Sequence, residues 1–172
     1  LYNHHKIDRD TIRETRFKKI FATYGIENHP LSERISTEYL EICPTKPNLF
    51  PHAIETLEYL SGNYPLHIIT NGFNDIQDVK LRSSKLRDYF DVIVTSETAG
   101  HRKPSKEIFS FACTQAASRH HESLMIGDNL TADIEGAMAA NLKAMYFNPS
   151  RMPHTSSPDF EISHLKQVTE LL

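Results

Sequence analysis

Four short apolar runs, set apart by amphipathic stretches of helix length, constrain this chain more than any other feature. Leu66-His67-Ile68-Ile69, Val92-Ile93-Val94, Leu124-Met125-Ile126 and Ala144-Met145-Tyr146-Phe147 are too short for helices and are near-continuous rather than alternating. Before and between them, His52 to Leu60, Asn74 to about Leu86, Ser105 to about Ala117 and Thr131 to Ala140 read as helices. Strands that alternate with helices pair in parallel, because each crossover helix returns the chain to the same end of the sheet. The pattern predicts an α/β fold with four buried parallel strands. Upstream, Asp8 to Tyr24 reads as a helix with Asp8 as N-cap and Gly25 as stop, and Ser32 to Cys43 as a second helix. Pro44, Pro47 and Pro51 then break the pattern and mark a boundary. Residues 150 to 159 read as loop and 163 to 172 as a closing helix.

Composition narrows the function classes. The 172 residues suit one domain with a small appendage. A formal net charge of -3 offers no general field for a nucleic-acid backbone, and no apolar stretch approaches the roughly 20 residues of a membrane span. Neither nucleic acid nor membrane is expected as a partner. Lys80, Arg82, Lys85 and Arg87 lack interleaved aromatics and read as a solvated helix face. Cys43 and Cys113, the only cysteines, have no metal-type spacing, which fits a reducing, cytoplasmic setting. Tyr24, Tyr39 and Phe73 read as buried aromatics.

The chemistry should lie where parallel strands end, since loop amides and helix N-termini converge there. After the first run comes Thr70-Asn71-Gly72, a hydroxyl, an amide and a residue without a side chain, suited to cradling a phosphate. After the third comes Gly127-Asp128-Asn129, with Asp133 one turn into the next helix. Two carboxylates at one strand mouth suit a hard cation, Mg2+ above all. Between these stretches, Lys103-Pro104-Ser105 sets an ammonium just ahead of a helix that Ser105 is placed to cap.

Threonine, then lysine, then an acidic pair is an order that resembles the haloacid dehalogenase-like (HAD) hydrolase superfamily. Its second, third and fourth motifs match Ile68-Ile69-Thr70-Asn71-Gly72, Lys103-Pro104 and Gly127-Asp128-Asn129 through Asp133. A response-regulator receiver has its aspartates first, which the order here opposes. Residues 43 to 51, 64 to 73 and Tyr146-Phe147-Asn148-Pro149 further resemble the pyrimidine nucleotidase (nucleoside 5'-monophosphatase) branch.

The resemblance implies a HAD-like Rossmannoid parallel sheet with a helical cap, residues 1-48 belonging to the cap and 49-172 to the core. It implies a Mg2+-dependent phosphatase acting through an aspartyl-phosphate, with a nucleoside monophosphate as substrate. Thr70, Asn71 and Gly72 would then bind the phosphoryl group. Lys103 would balance its charge and that of the nucleophile. Asp128 would ligate the metal, and Asp133 would hold a metal-bound water or Lys103. The motif departs from the family at Ser105, where Asp is usual; since both residues cap helices, little change is expected.

The family's first motif, Asp-x-Asp-x-Thr on a central strand, has no counterpart. Asp8-Arg9-Asp10-Thr11 has the spacing but sits in a helical pattern and reads as an N-cap. The expectation is therefore that the natural protein extends upstream, that this chain lacks the central first strand and half of the cap, and that it is inactive alone. Two sheet edges would then be left bare, to pair with each other, take a strand by exchange from a second copy, or meet an upstream fragment. A complete sheet from this chain alone would contradict that. The alternatives are a sugar-phosphate or phosphoglycolate phosphatase, and a non-catalytic binding module.

Overall fold

A computed structural model describes residues 9 to 172. Asp8, the expected N-cap, lies outside the described residues. The chain divides into two compact units, residues 1–47 and 48–172.

The first unit is a helical hairpin. Helix α1 (Arg9–Thr23) ends at Gly25, whose φ of +67° suits a residue without a Cβ. Helix α2 (His29–Ile42) begins three residues earlier than its apolar pattern suggested, because the Asn28 side chain accepts a hydrogen bond from the Leu31 N–H and Pro30 occupies the first turn. Phe17 meets Tyr39 edge-on at 5.5 Å between centroids, and Lys18 pairs with Glu33 at 2.8 Å. The expectation of buried aromatics fails for Tyr24, which is 78% exposed, and Tyr39 is also exposed. Two helices have too little surface to cover every ring.

The second unit is α/β and entirely parallel in its pairing. In order it runs α3 (Ala53–Ser61), β1 (His67–Thr70), α4 (Asn74–Ser83), β2 (Val92–Thr95), α5 (Ser96–Ala99), α6 (Lys106–Gln115), β3 (Leu124–Gly127), α7 (Gly136–Ala139), β4 (Lys143–Phe147), β5 (Phe160–Ile162) and α8 (Val168–Leu171). The strands form two sheets, β1-β2 and β3-β4-β5. In register, Thr70 lies opposite Thr95, and Gly127 opposite Tyr146. Among the described residues, no strand joins β1 to β3, and the two edges do not pair with each other, which rules out the first of the three expected fates for them.

Burial follows pairing. Strand β4, with a neighbour on each side, is buried from Ala144 to Phe147, whereas β1 and β3 are only half-buried along their length. The expectation of four buried strands is thus corrected for β1 and β3, each of which has one edge with no partner among the described residues. Alternation along β4 sends Met145 and Phe147 to a core with Leu60, Ile162 and Val168, and Ala144 and Tyr146 to Ile134. A third cluster gathers Val94, Ile108, Phe109, Ala112 and Cys113. Both cysteines are free thiols. Among the described residues, no helix is long and apolar enough to cross a membrane.

Candidate active site at the strand ends

Thr70 closes β1, and its Oγ accepts the Gly72 N–H at 3.0 Å. That bond orients the hydroxyl and leaves its proton for another acceptor. The Gly72 N–H is therefore spent inside the turn. A Cβ at Gly72 would run into the flexible end of Gln77, which can move aside.

Lys103 is only 9% exposed, so its ammonium needs partners. Nζ donates to the Ile69 carbonyl at 2.7 Å and pairs with Asp133 Oδ1 at 2.6 Å. One lysine thus ties the end of β1 to the segment after β3, at the place where the two sheets share no backbone bond. An ammonium has three N–H donors. With two taken, the third has no partner among the described residues and is available to an anion.

Asp133 is 5% exposed and fully engaged, since its Oδ2 accepts the Asn129 N–H at 3.0 Å. Two features seat it. Residues Leu130–Glu135 form a π-turn in which the Asn129 carbonyl accepts from both Asp133 N and Ile134 N, turning the carboxylate inward. Gly127 leaves the space, for a Cβ there would lie 2.5 Å from the Asp133 side chain. Asp128 is the opposite: exposed, with no hydrogen-bond or ion-pair partner among the described residues.

Asn71 binds the Lys103 backbone at two points. Its Oδ1 accepts the Lys103 N–H at 2.8 Å, and its Nδ2 donates to the Lys103 carbonyl at 3.0 Å. These two bonds engage the carbonyl oxygen and one of the two Nδ2 hydrogens of the side chain. Ser105 stands at the N-cap of α6, but its hydroxyl donates to Glu107 and caps no backbone N–H, so the expected equivalence with a capping Asp does not hold. That hydroxyl holds the Glu107 carboxyl below the ordinary carboxylate range.

Sequence reasoning missed the brace behind this loop. Thr95 Oγ donates to Asn74 Oδ1, Glu97 Oε2 accepts the Asn74 N–H at 2.7 Å, and the buried Ser96 hydroxyl donates to the Asn71 carbonyl at 3.4 Å. The signal was Thr95-Ser96-Glu97-Thr98 directly after an apolar run, a hydroxyl-rich helix start.

As a place for Mg2+, the residues fit in one specific way. Among the described residues, no three His, Cys, Asp or Glu side chains gather around a point, and both Asp133 oxygens already carry a bond. Mg2+ tolerates this, because it retains waters and takes one or two carboxylates plus phosphate oxygens. Asp128 is the free carboxylate that would hold it, and the ion would neutralise phosphoryl charge.

Comparisons with known proteins give the family. The family described as haloacid dehalogenase-like hydrolase matches residues 4–147. Pyrimidine 5'-nucleotidase YjjG of Escherichia coli is 34% identical over 164 residues, covering 94% of this chain and 71% of that protein. Ribulose-1,5-bisphosphate 5-phosphatase of Halopiger xanaduensis is 35% identical over 153 residues, covering 83% of this chain and 62% of that protein. The crystal structure of the HAD-hydrolase YfnB from Bacillus subtilis bound to magnesium superimposes with a TM-score of 0.88 at 30% identity, covering 99% of this chain and 74% of that one. With a family match over most of its length and with the lysine, threonine and aspartates of the motifs assembled at one end of the strands, this chain belongs to the haloacid dehalogenase-like hydrolases.

Proposed function

We propose that this site serves Mg2+-dependent hydrolysis of nucleoside 5'-monophosphates through an aspartyl-phosphate. The chain is of the phosphoric monoester hydrolase type. The observation that carries the finer reading is the buried Lys103 ammonium, held between Ile69 and Asp133 with one donor to spare, beside a Thr70 hydroxyl that also keeps its proton. Donors held at the end of one strand are what a phosphoryl group needs as its charge grows in the transition state. Thr70 and Lys103 bind and orient that group. Asp128 holds the cation, and Asp133 holds Lys103. The two-helix unit is read as part of a cap.

The described residues supply the cradle but no carboxylate nucleophile beside Asp128 and Asp133. We therefore propose that turnover requires a nucleophilic carboxylate from outside the described residues, carried on a strand that pairs with β1 and β3. A reducing cytosol is the proposed setting, on the two free thiols.

The second reading, a sugar-phosphate phosphatase, is favoured by the match to the ribulose-bisphosphate enzyme. Calorimetric titration of this chain with UMP, AMP, ribose 5-phosphate and phosphoglycolate, with and without Mg2+, separates the two. Mg2+-dependent binding of the nucleotides at least tenfold tighter than of the sugar phosphates is expected. Equal affinities would move the assignment to the second reading, and no Mg2+-dependent binding of any of them would overturn both.

A further inference from the structure

We infer that Asn71 is a positioning residue, whose side chain sets the Lys103 loop rather than contacting the phosphoryl group. The inference rests on the proposed phosphoryl site but is tested separately from it.

A carboxamide with one donor and one acceptor directed at the two ends of a single residue acts like a short strand partner. Asn71 Oδ1 accepts from Lys103 N and Nδ2 donates to Lys103 O, which fixes both the position and the rotation of that backbone unit. Lys103 then has a defined origin from which Nζ reaches Ile69 O and Asp133. Lysine has four rotatable side-chain bonds, so without a fixed backbone the ammonium could satisfy Asp133 from several places. The loop is also braced from behind Pro104. A Cβ at Gly136 would lie 2.9 Å from Pro104 Cα and 2.9 Å from the Phe109 ring. Asn71 itself is steadied through its carbonyl by the buried Ser96. The threonine motif and the lysine motif are thus one mechanical unit, joined by side chain to backbone.

The test uses Asn71→Ala and the near-isosteric Asn71→Asp, which retains an acceptor for Lys103 N but loses the donor to Lys103 O. Three quantities are read: hydrogen exchange of the Lys103 amide, the Lys103 Cε chemical shift at fixed pH, and affinity for inorganic phosphate with Mg2+. Loss of two internal bonds should speed Lys103 amide exchange by roughly tenfold or more in Asn71→Ala, and by less in Asn71→Asp. The Cε chemical shift should move in both variants, and phosphate affinity should fall in parallel with the exchange. If phosphate affinity falls while Lys103 exchange and Cε chemical shift stay as in the wild type, Asn71 acts on the ligand directly and the inference is overturned. Unchanged exchange in both variants overturns it as well. If the wild-type chain binds no phosphate at all, the functional reading fails, yet the two Lys103 readouts still decide the role of Asn71. Asn71→Asp covers the case in which Asn71→Ala fails to fold.

Discussion

Asp128 and Asp133 follow the same strand five positions apart and differ in nearly everything else. Asp133 is buried, its two oxygens committed to Lys103 and to the Asn129 N–H. Asp128 is exposed and has no described partner. The contrast separates two tasks that sequence spacing alone runs together. A buried carboxylate with a full set of bonds is part of the framework, while a solvent-facing carboxylate with free lone pairs can accept a cation at little cost to folding. The two sheets show the same division. Strand β4 is buried and paired on both sides, whereas β1, which ends at Thr70, and β3, which ends just before Asp128, each have an edge with no partner among the described residues.

The sharpest way to break this contrast is to exchange the treatments. Asp133→Ala leaves the Lys103 ammonium buried without its charge partner and should cost about 3–5 kcal/mol, measured by urea denaturation. Combining it with Lys103→Met should recover much of that loss, since removing both charges is cheaper than stranding one. A cost from Asp133→Ala no larger than that of a surface substitution would contradict the pinned geometry.

Gly136→Ala comes next. The added methyl meets Pro104 backbone and the Phe109 ring, neither of which yields cheaply, so a loss of about 1–3 kcal/mol is expected. Gly72→Ala meets only the end of Gln77 and should cost clearly less by the same measurement.

Glu161 provides an exposed control. The Asn148 side-chain amide, followed by His154, holds its carboxyl below the ordinary value. A depressed carboxyl stabilises the fold at pH above its unfolded value, near 4.5, and that contribution is lost as pH falls through the folded value. Glu161→Gln should therefore reduce stability slightly at neutral pH and flatten the acid limb of the stability profile. An unchanged acid limb would show that Asn148 and His154 contribute nothing through this carboxylate.

Asp128→Asn should have the smallest effect on folding, within about 0.5 kcal/mol of wild type. Its effect on Mg2+ should nonetheless be the largest of the set, which is the asymmetry that the two aspartates embody.

Much of this was legible in the sequence. The four apolar runs became β1 to β4 with boundaries shifted by a residue or so, and the periodic stretches became helices. Strand β5 escaped because Phe160-Glu161-Ile162 is only three residues long and its partner is β4, settled by tertiary contact rather than by pattern. The stretch after Asp128 read as an ordinary helix because a π-turn has the same residue types; only the shared Asn129 carbonyl reveals it. At the site, residue types and chain order gave Thr70, Lys103, Asp128 and Asp133. The direction of each side chain was not readable, since the Asn71 amide and the Lys103 ammonium find partners more than 30 residues away. Short-range spacing carries no information about such pairs.

The central claim is that Asp128 holds the cation while Asp133 holds the lysine. Mg2+ titration of wild type, Asp128→Asn and Asp133→Asn by calorimetry, each checked for folding by circular dichroism, tests it most directly. The account predicts that Asp128→Asn abolishes Mg2+ binding with the fold intact, and that Asp133→Asn destabilises the fold while Mg2+ still binds. Equal loss of Mg2+ in both folded variants, or binding that survives Asp128→Asn, would contradict it.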